Sequence, residues 1–336
     1  MDTPNPTTLA VVQYNILADA LCVDPDAGFT SLPPDQLEWS IRGPAIVAAL
    51  LKAEADVMCV QEADHYHDTL APALSAAGYA GCYREDEWSP CRKLGDGSLR
   101  DGVAIFYRRE KLELLGSHVP CIPRRSKEVD AAADGTMQDA GKCLMARFRV
   151  VGTMEEVVVA TVHLDSKKTE AGVAKRHRQA TRCARAIQAF REFSCVNPSA
   201  AMVIVAGDLN AQPHEPAVGV FKHPPAPTCE GDSSSGLPKM VSAYEAASSS
   251  TPPAEPPFTT WKIRSGPFKP GEAKMTIDYI FVSEACDVVD VAPLDDEAAI
   301  GAKGLPCEAH PSDHLMLRAT VRWRPHTRWR CTSALI

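Results

Sequence analysis

The chain has little that would suit it to a membrane, an oxidising compartment or a long polyanion. No apolar run approaches the ~20 residues that cross a bilayer, and Met1-Asp2-Thr3-Pro4-Asn5-Pro6 lacks the basic-then-apolar order of a secretory leader. The 12 cysteines include no CxxC pair, which removes the commonest zinc and dithiol patterns. Several, such as Cys59 and Cys143, lie in apolar runs and read as small core residues kept reduced. The expectation is a cytoplasmic protein without membrane contact. Positive charge is also short, with 35 Lys and Arg against 43 Asp and Glu and a net charge of -8. That sign weighs against wrapping long nucleic acid, which needs clustered cations. Aromatic residues make up 6%, a thin supply for stacking successive bases. A small anionic ligand stays open, because a local basic patch or a bound divalent cation can invert the field of one cleft.

What the chain does have is a repeated device. Met202 to Asn210 is an apolar run that ends in Gly207 and then delivers Asp208 and Asn210. Burying such groups is costly unless something pairs with them, so a metal ion or a phosphate is the natural partner. The device recurs. Leu9 to Tyr14 leads to Asn15, Ala55 to Gln61 to Glu62, and Val157 to Val162 to His163, while Asp278 sits inside Thr276 to Val282 and Asp313-His314 precedes Leu315 to Leu317. Short β-branched runs of this kind read as strands. Helical segments are expected over Ile46 to Lys52 after Pro44, Thr69 to Ala77 before Gly78, and Glu170 to Phe193. Strands alternating with helices give an α/β or α+β class with layered sheets. Arg124 to Gln138, Thr228 to Gly236 and Ser248 to Pro257 read as loops or inserts. Because the device spans Asn15 to His314 and hydrophobic content is 45%, one domain with sequence-distant site residues is expected, over 9–324, with short tails at 1–8 and 325–336.

The polar ends suggest chemistry. Glu62 can cap a helix or bind a cation; with Asn15, and with Asp208 or Asp313 nearby, the oxygen donors suit a hard cation such as Mg²⁺. Asp208 and Asn210 lie two apart and would point to one side if the strand continued. A carboxylate that orients water beside an amide that steadies an oxyanion is a set used in phosphoester hydrolysis. Asp278 is paired with His314, since a carboxylate on one ring nitrogen aims the other at substrate. In the basic series Lys167, Lys168, Lys175, Arg176, Arg178, Arg182 and Arg185, most positions read as a solvated helix face, but Lys167 and Lys168 start four residues after His163 and can reach an anion at the mouth of the site.

Gln13-Tyr14-Asn15, Val60-Gln61-Glu62, Thr161-Val162-His163-Leu164, Gly207-Asp208-Leu209-Asn210, Ile277-Asp278-Tyr279 and Ser312-Asp313-His314, in that order, resemble the endonuclease/exonuclease/phosphatase superfamily. Asp64 to Thr69, Ser89-Pro90-Cys91, Asp101 to Ala104 and Pro256 to Arg264 narrow the resemblance to its CCR4/nocturnin group. The resemblance implies a four-layer α/β/β/α sandwich and phosphoester hydrolysis dependent on Mg²⁺, with Mn²⁺ as the alternative ion. It implies Glu62 as principal metal ligand with Asn15, Asp208 activating water, Asn210 and His163 on the phosphate, and Asp278 orienting His314. Asp313 would assist the metal or the leaving group, and Arg264 would contact the nucleotide. The substrate implied is the 2'-phosphate of NADP(H) or a related adenine nucleotide, with the 3' end of RNA as the alternative and a noncatalytic nucleotide-binding module as a third reading. Protein partners stay open. Against the group's pattern, Asp165 and Asp86 stand at lysine positions and Lys167 at an arginine position, so NADP(H) preference does not carry over directly. Lys168, Arg84 or Arg124 could compensate locally.

Overall fold

The computed structural model describes residues 7–24, 26–87, 89–95, 97–120, 142–224, 237–267 and 270–324. Strands β1 (Thr8–Asn15), β2 (Val57–Gln61), β3 (Tyr79–Glu85), β4 (Gly102–Arg108), β5 (Leu112–His118), β6 (Lys142–Val150) and β7 (Glu156–His163) come from the first half. The second half adds β8 (Met202–Asp208), β9 (Met240–Ser242), β10 (Thr260–Arg264), β11 (Gly271–Met275), β12 (Asp278–Ser283), β13 (Cys286–Val291) and β14 (Leu317–Trp323). They form one sheet in the order β13-β14-β1-β2-β4-β3, a second in the order β5-β6-β7-β8-β12-β9, and a separate β10-β11 hairpin.

Successive side chains on a strand face opposite ways, and the core divides on that parity. Leu9 and Val11 of β1, Val57 and Cys59 of β2, Val157 and Val159 of β7, and Met202, Ile204 and Ala206 of β8 meet in one cluster between the sheets. Their neighbours turn outward. Val12, Tyr14, Met58 and Val60 pack with Ile46 and Leu50 of the helix Trp39–Lys52. Val158, Val203 and Val205 pack with Ala180, Cys183 and Ile187 of the long helix Glu170–Ser194. Both faces of each sheet are therefore covered, which is why the strands read as continuous apolar runs. The layering is α/β/β/α, as the family resemblance implied.

Continuing the inward parity toward the polar ends reaches Gln13 and Asn15 on β1, Gln61 on β2, Thr161 and His163 on β7, Asp208 on β8, and Asp278 on β12. β1 runs parallel to β2 and β7 parallel to β8, with Asn15 opposite Gln61 and His163 opposite Asp208. Antiparallel β12 starts where β8 ends, with Asp278 opposite Asp208. The polar termini thus collect at one edge of the sandwich.

Some boundaries differ from the sequence reading. The helix expected from Ile46 begins at Trp39 and contains Pro44; the missing N–H would have served Ser40, which is exposed and can take water instead. The segment expected as a helix from Thr69 starts with a π turn, Tyr66–Leu70, and ends before Gly78, whose φ is +91°. Ser248–Pro257 contains neither helix nor strand, whereas Arg124–Gln138 and Thr228–Gly236 lie outside the described residues. Among the described residues no helix is long and apolar enough to cross a membrane.

Candidate active site

The edge where the polar termini gather floors a cleft of about 1230 Å³. Glu62, His163, Asp208, Asn210, Lys168, Lys262 and Arg264 line it. Asn15, Asp278, Asp313 and His314 lie buried beside them.

Asp208 is the hub. Its Oδ1 accepts the Asn210 backbone N–H at 2.7 Å and its Oδ2 accepts the Asn15 amide at 3.1 Å. His163 Nε2 stands 3.6 Å from Oδ2 and His314 Nε2 3.8 Å. Burial pushes this carboxyl's pKa up, but His314, His163 and Lys262 outweigh it and hold the group below the ordinary carboxylate range. Asn15 also donates to Glu62 Oε1 at 3.0 Å, while its own Oδ1 accepts the Leu17 N–H at 3.0 Å. The side-chain amide is thereby fixed with its NH₂ toward two carboxylates, so Asn15 bridges Glu62 and Asp208 and does not turn its oxygen to the cleft. Glu62 Oε2 accepts the Ala18 N–H at 3.1 Å. Burial raises its pKa as well, yet His163 above all brings it below the ordinary value.

Backbone strain is concentrated here. Among the described residues four non-glycines have positive φ, and three of them, Leu17 (58°), Glu62 (59°) and Asn210 (50°), follow strands at this edge. Such conformations cost roughly 1–3 kcal/mol each and persist where the surroundings over-determine them. β8 ends at Asp208, so the alternation expected to aim Asn210 alongside it stops. Asn210 instead folds back, its amide donating to Leu164 O at 3.1 Å, and reaches the same cleft by a turn.

Below the hub lies a buried polar relay. His314 Nδ1 is 2.9 Å from Asp278 Oδ2, which also accepts from Thr259 Oγ1 at 2.6 Å. Asp278 Oδ1 accepts from Gln13 Nε2 at 2.9 Å; Gln13 also donates to Gln61, and Gln61 to Thr161, each at 3.0 Å. On the other side, Lys262 Nζ lies 3.1 Å from His314 Nε2 and 2.7 Å from Asp313 Oδ2. An ammonium only donates, so Nε2 accepts and the ring proton sits on Nδ1, toward Asp278. For His314 burial and Lys262 lower the pKa, Asp278 and Asp313 raise it, and the net shift is upward. Sequence reasoning missed Lys262, Gln13, Gln61 and Thr161. Parity along β1, β2 and β7 would have found the last three, whereas nothing local marks Lys262.

Further positions differ from expectation. Asp313 shares its Oδ2 between Lys262 and Arg264, at 2.7 and 3.2 Å, so its charge is neutralised by two cations, although its buried Oδ1 makes no hydrogen bond. Lys167 is exposed and absent from the cleft lining; Lys168 lines it, with Nζ 3.0 Å from Asn210 O. The two acidic departures carry their own counterions. Asp165 Oδ2 meets Lys175 Nζ at 2.7 Å, and Asp86 meets Lys142 Nζ at 3.4 Å, with Asp101 also on Lys142. Of the compensating cations foreseen, Arg84 lines the cleft but donates to Cys143 O, and Arg124 lies outside the described residues.

The donor chemistry fits a hard divalent cation. Asp208, Asp278 and His314 each offer a ligand atom within 4.8 Å of one another, but both Asp278 oxygens and His314 Nδ1 are spent within the relay. Of the carboxylates gathered at the strand ends, Glu62 and Asp208 line the cleft, both held below the ordinary carboxylate range, and one or two carboxylates plus water is how Mg²⁺ is ordinarily held.

The model of the Endonuclease/Exonuclease/phosphatase family matches residues 12–314. Nocturnin of Rattus norvegicus is 32% identical over 314 residues, covering 92% of this chain and 64% of that protein. The chain likewise spans 64% of the mouse and human nocturnins. The human nocturnin catalytic domain with bound sulfate anion superposes with a TM-score of 0.71 at 25% identity, covering 94% of this chain and 95% of that one. ANGEL2, a 2',3'-cyclic phosphatase solved with adenosine-2',3'-vanadate, has the same fold, with a TM-score of 0.71 at 22% identity over 96% of this chain and 97% of its own.

Proposed function

Because the chain belongs to the endonuclease/exonuclease/phosphatase family, we propose that it is a divalent-metal-dependent phosphoester hydrolase acting on an adenine nucleotide, with the 2'-phosphate of NADP(H) as its substrate. The unit assigned to this activity is 9–324, and a reducing, cytoplasmic setting accords with the nine free cysteines among the described residues. The observation that carries the reading is the convergence on Asp208 Oδ2 of Asn15, His163 and His314.

Hydrolysis adds water across the P–O bond, leaving an alcohol and inorganic phosphate. Asp208, held ionised, accepts a hydrogen bond from the attacking water and fixes its line of approach. His163, at the cleft wall, and the second N–H of the Asn210 amide donate to non-bridging oxygens. Asp278 keeps the His314 proton on Nδ1, so that Nε2 accepts from Lys262 and holds that ammonium beside the reacting region. Lys262 supplies positive charge at the same place. Glu62 with Asp208 would hold Mg²⁺, which when bound acts as a Lewis acid on a phosphate oxygen. Asn15 sets the spacing of those two carboxylates, and Arg264 contributes charge toward the nucleotide.

An RNA 3' end is disfavoured by the lining. Among the described residues no Phe, Tyr or Trp lines the cleft, whereas channels for single strands use stacked aromatics. The test is phosphate release from NADP⁺ with Mg²⁺, with Asp208→Ala as control and oligo(A) shortening run in parallel. Release from NADP⁺ that the control abolishes is the expected result; shortening of oligo(A) without such release assigns the chain to exonuclease chemistry, and nucleotide binding without turnover to a noncatalytic role.

A further inference from the structure

The loop after His163 supplies one cation to the cleft, Lys168, whereas Asp165 is an acid tied to Lys175 and Lys167 is exposed outside the cleft. Further positive charge comes from the helix that follows. Lys175, Arg178, Gln179 and Arg182 of the long helix Glu170–Ser194 all line the cleft. At about 100° per residue these four positions fall within an arc of about 100°, one face of the helix. The opposite face carries Ala180, Cys183, Ala184 and Ile187 into the core.

Several bonds hold this face where it is. Asp165 N donates to Gln179 Oε1 at 2.9 Å, and Arg176, itself buried, donates to the carbonyls of Asp165 and Lys167 and pairs with Glu215. The loop that carries His163 and the helix that carries Arg178 and Arg182 are therefore one rigid piece. Arg178 and Arg182 are one turn apart, with Cβ atoms about 5–6 Å from each other, a spacing at which two guanidinium forks can share one phosphate. We propose that Arg178 and Arg182 form a second anion subsite that holds a phosphate of the substrate remote from the one being cleaved. The substrate class is then a nucleotide with a further phosphate or pyrophosphate group. The inference rests on the hydrolase reading only for where the cleaved phosphate lies.

The test compares NADP⁺ with adenosine 2'-monophosphate, which shares the 2'-phosphate but lacks the 5' pyrophosphate. Phosphate release with Mg²⁺ is measured for the wild type, Arg178→Ala with Arg182→Ala, and Arg178→Lys with Arg182→Lys. In the alanine pair the ratio of kcat/KM for NADP⁺ to that for the monophosphate falls about tenfold or more, through KM, as expected for losing charged hydrogen bonds. The lysine pair recovers part of that ratio, and the difference shrinks as salt is raised. An unchanged ratio, or equal loss on both substrates, overturns the subsite. No release from either nucleotide by the wild type would instead defeat the hydrolase reading. Equilibrium binding of NADP⁺ and adenosine 2'-monophosphate to the same three proteins then decides the subsite: a selective loss for NADP⁺ in the alanine pair retains it, and equal binding removes it.

Discussion

Asp278 and His314 lie 36 positions apart in sequence and 2.9 Å apart in space, both fully enclosed. With Thr259 and Gln13 also on its oxygens, Asp278 has one available task, which is to fix the tautomer and direction of the imidazole. Asp278→Asn keeps the volume and removes the charge that fixes the tautomer. Its kcat for phosphate release is expected to fall by about 10²–10⁴, the scale seen when an orienting carboxylate is lost, with KM little changed. A drop below tenfold would deny the pair an orienting role.

Asp313 gives a pH-dependent prediction for stability. Burial pushes its pKa up, but Lys262, His314 and Arg264 prevail and hold it well below the ordinary value. A carboxyl whose folded pKa is depressed stabilises the fold above its unfolded pKa of about 3.9 and loses that contribution as pH falls below it. Asp313→Asn is therefore expected to be less stable than wild type by about 1–3 kcal/mol at pH 7, the cost of leaving partly buried cations without their partner, and the gap should narrow in urea denaturation as pH falls from 5 through 3. A gap that stays constant with pH would mean the loss is one of packing.

Glu62 and the divalent ion are tested together. Chelation is expected to abolish phosphate release and either Mg²⁺ or Mn²⁺ to restore it, while Glu62→Gln should raise the Mg²⁺ concentration for half-activity by about 10–100-fold. Full activity in chelator would end the metal-dependent reading.

Lys142 sits between Asp86 and Asp101, and burial lowers its pKa less than Asp101 and Asp86 raise it. Lys142→Met leaves two carboxylates facing each other at the cleft wall and is expected to cost about 3–5 kcal/mol in urea denaturation. Adding Asp101→Asn should return part of that loss. If the double substitution is no more stable than Lys142→Met alone, the lysine acts through its stem rather than its charge.

Much of this site was legible because strand parity is local. Leu9, Val11, Gln13 and Asn15 alternate with Val12 and Tyr14 whatever the rest of the chain does, so one face of β1 is committed by sequence to carry an amide at its end. The same holds for Gln61 on β2, Thr161 and His163 on β7, and Asp208 on β8. Asn210 marks where that reasoning stops, since a residue with φ of 50° leaves the alternation and its direction is set by Leu164 and Lys168 of a neighbouring segment. The start of the helix at Trp39 was hidden for a related reason: Pro44 is a local stop signal, overridden because the buried Arg42 donates to the carbonyls of Ile16, Leu17 and Pro311.

The sequence by itself determined which residues end the inner strands, because that follows from backbone periodicity and the cost of burying polar groups; the four-layer sandwich and its chemistry were implied by the likeness of the ordered motifs to a known family. Only the tertiary structure decided who neutralises whom. Asp86 on Lys142, Asp165 on Lys175, Asp313 on Lys262 and Arg264, and Lys168 rather than Lys167 at the cleft are contacts between segments that no local period relates. A charge's effect depends on what lies within a few ångströms, and that distance is fixed by how sheets and helices stack.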